Sequence, residues 1–130
     1  MIIEDHHVAC TVLVKDEEGR YVFLVKRKEE GFSFLATEVE HRKTGLACVL
    51  NRLKEMIKMD IEKLELNELT NAVVDNKSIP LFVFIYENNA LDTPNDLLPK
   101  DSELSWVHSE NIINTLEQWK ISGVPQFLLI

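Results

Sequence analysis

The sequence is poor in the residues that most often bring a ready-made chemistry. It has two cysteines in 130 residues, with no Cys-x-x-Cys and no Cys/His cluster. That excludes a disulfide scaffold and offers no ligand set for structural zinc. Its four glycines are scattered, so there is no glycine-rich phosphate loop. No stretch approaches the roughly eighteen apolar residues of a membrane-spanning helix. Positive charge is scarce: 14 Lys and Arg stand against 22 Asp and Glu, a net charge of -8. That balance repels polyphosphate backbones and anionic lipid, so no nucleic-acid polymer or membrane is expected as a partner. The first residues, Met1 to His7, have no basic region and no long apolar region. No signal peptide is therefore expected, and the cytoplasm is the expected compartment. No Ser/His/Asp or Cys/His arrangement for nucleophilic catalysis is legible.

What is present describes an ordinary globular chain, 45% apolar and 28% charged, with the length of one domain, residues 1–130. Cys10 and Cys48 lie in apolar runs and are expected to be buried free thiols. Val8 to Val14 is apolar and β-branched, which predicts a buried strand. Asp16-Glu17-Glu18-Gly19 predicts a turn, and Tyr21 to Val25 a second strand, making a hairpin. Phe32 and Phe34 alternate with Ser33, a short strand running toward Val39. The period then changes. Leu46, Val49, Leu50, Leu53, Met56 and Ile57 recur at three and four, predicting an amphipathic helix over Thr44–Met59 with Thr44 as N-cap. Leu46, Val49, Leu50, Leu53 and Ile57 are its expected buried face. Strands are predicted near Leu69 to Val74, from Ile79 to Tyr86 and from Glu103 to Val107. Residues 88–101 are turn-rich. A second helix is predicted from Ser109 through Leu116, then a break at Gly123-Val124-Pro125 and an apolar tail, Phe127 to Ile130. His6 and His7, near the start, are expected to be exposed. Trp106 and Trp119 are expected in a core or interface. The alternation of strands and helices argues for an α/β or α+β fold with a mixed sheet.

The stretch from Phe32 to Met59 resembles the Nudix hydrolase family. That family's signature is Gly, five residues, Glu, seven residues, Arg-Glu, an aliphatic, one residue, Glu-Glu, one residue, Gly, an aliphatic. Laid on this chain without gaps, it runs from Thr37 to Met59. Phe32-Ser33-Phe34 falls where the family has Trp, any residue, Leu, and Val39-Glu40 falls on its Val-Glu. The departures fall on the chemistry. Thr37 replaces the first Gly and Lys43 the first Glu. Asn51 and Arg52 stand in place of Arg-Glu. Glu55 keeps one carboxylate of the Glu-Glu pair, Met56 replaces the other, and Lys58 replaces the last Gly. The resemblance implies a Nudix-like α/β/α sandwich with a mixed β-sheet and a degenerate signature.

Diphosphate cleavage by water uses divalent cations that neutralise phosphate charge and activate the water. Magnesium takes oxygen ligands, mostly carboxylates, and carboxylates three and four apart share one helix face. Here that face offers Arg52, Glu55 and Met56. The resemblance therefore implies a protein that has lost metal-dependent hydrolysis and binds a nucleotide-like or phosphorylated ligand, or a protein partner, with no cofactor. Arg27, flanked by Lys26 and Lys28, is a candidate phosphate ligand, together with Lys43 and Arg52. The alternative is a working hydrolase that holds Mg²⁺ through a rearranged set of Glu55, Glu40 and Glu103. Its candidate catalytic groups are those three and His41, the histidine best placed as a general base. A third reading is a structural or homodimer-forming module.

Overall fold

The structure, a computed structural model, describes residues 6–28, 31–40, 42–74, 76–87, 93–108 and 119–121. The first apolar run forms β1 (His7–Lys15), and β2 (Tyr21–Lys28) returns antiparallel to it. The turn between them is built by Asp16, whose Oδ1 accepts from the backbone N–H groups of Glu18 and Arg20, both at 2.9 Å. Gly19 supplies the left-handed residue, at φ 80°. Two short strands follow, β3 (Gly31–Ser33) and β4 (Leu35–Glu38). They are separate because β3 pairs with β2, whereas β4 pairs with the first half of β1. The strand read as continuous through Phe34 is thus broken there, where the chain passes from one partner to the other.

Helix α1 (Gly45–Met56) comes next, followed by β5 (Leu64–Val74), β6 (Lys77–Tyr86), β7 (Leu104–His108) and β8 (Trp119–Ile121). The sheet order is β3-β2-β1-β6-β5-β8, with β4 on β1 and β7 on β2. β6 runs parallel to β1, Ala9 opposite Leu81 and Leu13 opposite Ile85. Every other pairing is antiparallel. This is the mixed α/β sheet expected. β5 is longer than the predicted Leu69–Val74, and β8 was not foreseen. The predicted helix from Ser109 and the tail from Phe127 lie outside the described residues. No helix of the described residues is long and apolar enough to cross a membrane.

Strand alternation sends the core to both faces. Val8, Cys10, Val12 and Val14 point with Leu24, Phe84 and Leu104 toward α1. Ala9 and Leu13 join Phe23, Phe34, Ile79, Leu81 and Val83 on the opposite face. Cys10 and Cys48 are buried free thiols. Burial pushes the Cys10 thiol up to about 12.

The helix begins where predicted. Thr44 Oγ1 accepts from Ala47 N at 3.1 Å. It ends three residues early: Ile57 is the C-cap, extended at φ -126° and ψ 154°, yet it and Met59 remain buried. Val49 and Leu53 are fully buried, as the spacing requires, but Leu46 is 36% exposed and Leu50 only half-buried. Cys48 takes up the burial instead. Gly45 brings the helix start against the sheet: a Cβ there would sit 3.1 Å from Val8 Cγ1. His7 is also a correction, since it lies buried within β1.

Candidate functional site

One turn after another, α1 presents Cys48, Asn51, Arg52 and Glu55 on a single face. That spacing of three, four and seven follows from 3.6 residues per turn. Opposite them run Ala36, Thr37 and Glu38 of β4, then Glu40 in the loop. Together these eight residues line an open groove of about 280 Å³. β4 and α1 both pack on β1, which fixes the spacing of the two walls.

Ion pairs dominate the groove. Arg52 Nη1 lies 3.2 Å from Glu55 Oε2, one turn along the helix. Lys43 Nζ lies 2.9 Å from Glu40 Oε2. That hydrogen bond to Glu40 holds the Lys43 ammonium above the ordinary lysine range. His6 Nε2 lies 2.7 Å from Glu38 Oε1 on the β4 wall. All three carboxylate partners are solvent-exposed.

Of the residues singled out by sequence, Glu40, Arg52 and Glu55 come together on the groove, and Lys43 reaches its edge through Glu40. Arg27 and Glu103 belong elsewhere. They meet each other where β2 adjoins the start of β7: Arg27 N donates to Glu103 O at 2.8 Å. The Arg27 guanidinium donates to Ser102 O. Glu103 is paired with Lys26, at 3.6 Å. His41 lies outside the described residues. Sequence reasoning missed Glu38 and Cys48 as lining residues. Cys48 was readable from the helix phase, since it falls three and four before Asn51 and Arg52. Glu38 was not, because its place depends on β4 leaving the line of β3.

On the helix wall Glu55 is the sole carboxylate, and Arg52 holds it. Met56 packs against the helix-side core rather than facing the groove. Among the described residues, no three His, Cys, Asp or Glu side chains are grouped so that they could hold a metal ion. The described residues do not fit a magnesium centre built on carboxylates.

No protein-family model and no curated protein matches the sequence. Solved structures do match the fold. A C. elegans Ap4A hydrolase binary complex superposes with a TM-score of 0.63 at 16% identity, over 84% of each chain. A chain of the complex between the C-terminal domain of mouse MUTYH and human PCNA gives 0.57 at 14% identity, over 88% of this chain and 79% of that one. The NUDIX domain of Shewanella oneidensis NrtR, complexed with ADP ribose, gives 0.56 at 8% identity, over 91% and 82%. At these identities the likeness concerns architecture. The chain has the Nudix fold, and its groove between β4 and α1 lies where the signature aligned from Thr37 to Met59.

Proposed function

We propose that this protein is a cytoplasmic Nudix-fold binding module that takes a phosphorylated, nucleotide-like ligand in the groove without hydrolysing it through a metal. The observation that supports this reading is Arg52. It occupies the signature position of a metal-binding glutamate and lines the groove. Its partner Glu55 is exposed, and an exposed ion pair contributes about 0–1 kcal/mol. A phosphate carries more charge than a carboxylate and fits the guanidinium fork. It therefore displaces Glu55 at little cost. Lys43 is poised in the same way on Glu40, and Asn51 adds an amide beside Arg52. The NrtR domain of the same fold, whose structure holds ADP ribose, is a precedent for a ligand bound by this architecture.

The test is calorimetry with ADP in EDTA. Heat of binding should appear without magnesium and weaken as salt rises. Arg52→Ala should reduce affinity roughly tenfold or more, the worth of one charge-assisted hydrogen bond. No binding by wild type, or binding untouched by Arg52→Ala, would remove the reading.

A further inference from the structure

Glu38 lines the groove, yet it does not face the helix. Thr37 pairs with Val8, and Glu38 pairs with His7. Val8 belongs to the core under α1, and paired residues share a face of the sheet. Thr37 therefore points toward α1, and its neighbours Ala36 and Glu38 point to the opposite face of β4. Ala36 packs on the core of that opposite face. All three line the groove, so the groove passes over β4 from one face to the other. Its two ends differ in chemistry. The helix end holds Arg52, with the Asn51 amide beside it. The far end holds the Glu38 carboxylate, set off from Arg52 by the β4 backbone.

Glu38 also keeps an oxygen for a ligand. Its Oε1 lies 2.7 Å from His6 Nε2, a contact framed by the hydrogen bond that Val39 N donates to His6 O at 2.9 Å. Among the described residues Glu38 has no second partner. Oε2 is therefore available. An ionised carboxylate only accepts. It repels a phosphate and takes a donor, and an O–H···O⁻ bond is among the stronger hydrogen bonds. A ligand that fills the groove is then anionic where it meets Arg52 and carries donors where it meets Glu38.

We propose that Glu38 is a specificity residue of the groove, accepting from the ribose 2′ and 3′ hydroxyls of a nucleotide whose phosphate sits on Arg52. That role presupposes the ligand binding proposed for the groove, and it narrows the ligand from phosphorylated compounds to those with a vicinal diol. A nucleotide carries no ammonium. Its donors nearest the phosphates are the ribose hydroxyls, and the amino group of the base lies farther out. Inorganic phosphate or pyrophosphate would engage Arg52 and leave Glu38 unused.

Calorimetry in EDTA with ADP and 2′,3′-dideoxy-ADP tests this role. The two nucleotides share base and phosphates and differ only in the diol. Wild type should bind ADP about three- to tenfold more tightly, the worth of one hydrogen bond to an exposed carboxylate. Glu38→Ala, which has no acceptor, should close that gap. The side chain is exposed, so the variant should fold, and circular dichroism checks it. The sign of the change separates recognition from mere charge. A carboxylate that only repelled phosphate would, once removed, tighten both nucleotides alike. Equal binding of the two by wild type, a gap that survives Glu38→Ala, or equal tightening of both would overturn the proposal. Where that binding still falls with Arg52→Ala, the phosphate reading stands and the diol alone is lost. Binding of neither nucleotide, or binding indifferent to Arg52→Ala, would remove both.

Discussion

At the scale of single residues, the groove is governed by exchange between internal and external partners. Glu55 and Arg52 hold each other at 3.2 Å, and a ligand phosphate must compete with Glu55. Removing the competing charge should help. Glu55→Gln is expected to tighten ADP binding by up to about fivefold, the upper worth of an exposed pair, measured by calorimetry in EDTA. A metal-dependent enzyme would show the reverse, because it would lose a ligand. A second residue-scale expectation concerns pH. The backbone N–H of Arg20, seconded by that of Glu18, holds the Asp16 carboxyl below its usual range. A depressed carboxyl stabilises the fold fully above its unfolded value, about 4, and loses that contribution as pH falls through the lower folded value. Chemical denaturation between about pH 4 and pH 2 should therefore show wild type losing stability faster than Asp16→Asn. Asp96, depressed chiefly by the Thr93 backbone N–H, keeps its own share in both. That Arg52, Glu55 and Glu40 line one groove was legible because helix phase and one loop step place them. That Arg27 lies against Ser102 and Glu103 and not on this groove was not legible, because charge alone says nothing of which strand end it closes.

At the scale of elements, helix α1 was the most readable part of the chain, and its energetics follow from the same features. Thr44 satisfies the N–H of Ala47 at 3.1 Å. Thr44→Ala should cost about 0.5–2 kcal/mol in urea or thermal unfolding. Leu53 is fully buried between helix and sheet, so Leu53→Ala should cost roughly 2–5 kcal/mol. Leu53→Ala costing no more than a surface change would contradict the packing. The helix start and its buried seam are local properties of the sequence. Its end is not, because Ile57 and Met59 continue the apolar period while the backbone turns extended to bury them differently. The exposure of Leu46 has the same origin: three-four spacing gives the phase of a helix but not the width of the surface that covers it. The β4 break depends on which strand lies alongside, and no local pattern reports that.

At the scale of the whole molecule, the fold does not by itself decide the chemistry. The architecture is that of the Nudix hydrolases, yet function resides in the site and not in the fold. The whole chain is therefore expected to release neither phosphate nor mononucleotide from dinucleotide, nucleotide-sugar or nucleoside-triphosphate substrates in a magnesium-dependent way. The ground is electrostatic. Cation-assisted attack needs several carboxylates converging on the cations. The helix wall supplies Glu55 alone, already held by Arg52, and Lys43 holds Glu40. A unit charge about 4 Å from a like charge is repelled by roughly 4 kcal/mol at an effective dielectric near 20. For a divalent ion beside Arg52 that alone weakens binding about a thousandfold or more. The converse follows. Lys43→Glu, Arg52→Glu and Met56→Glu together should raise Mg²⁺ affinity, read by calorimetry with the metal alone. Met56 is packed on the core, so this variant should also be less stable; circular dichroism separates a folded protein without gain from one that has unfolded. A folded triple variant with no gain would mean that the signature is aligned wrongly along α1. Wild-type release of nucleotide that needs magnesium and disappears with Glu55→Gln would restore the hydrolase.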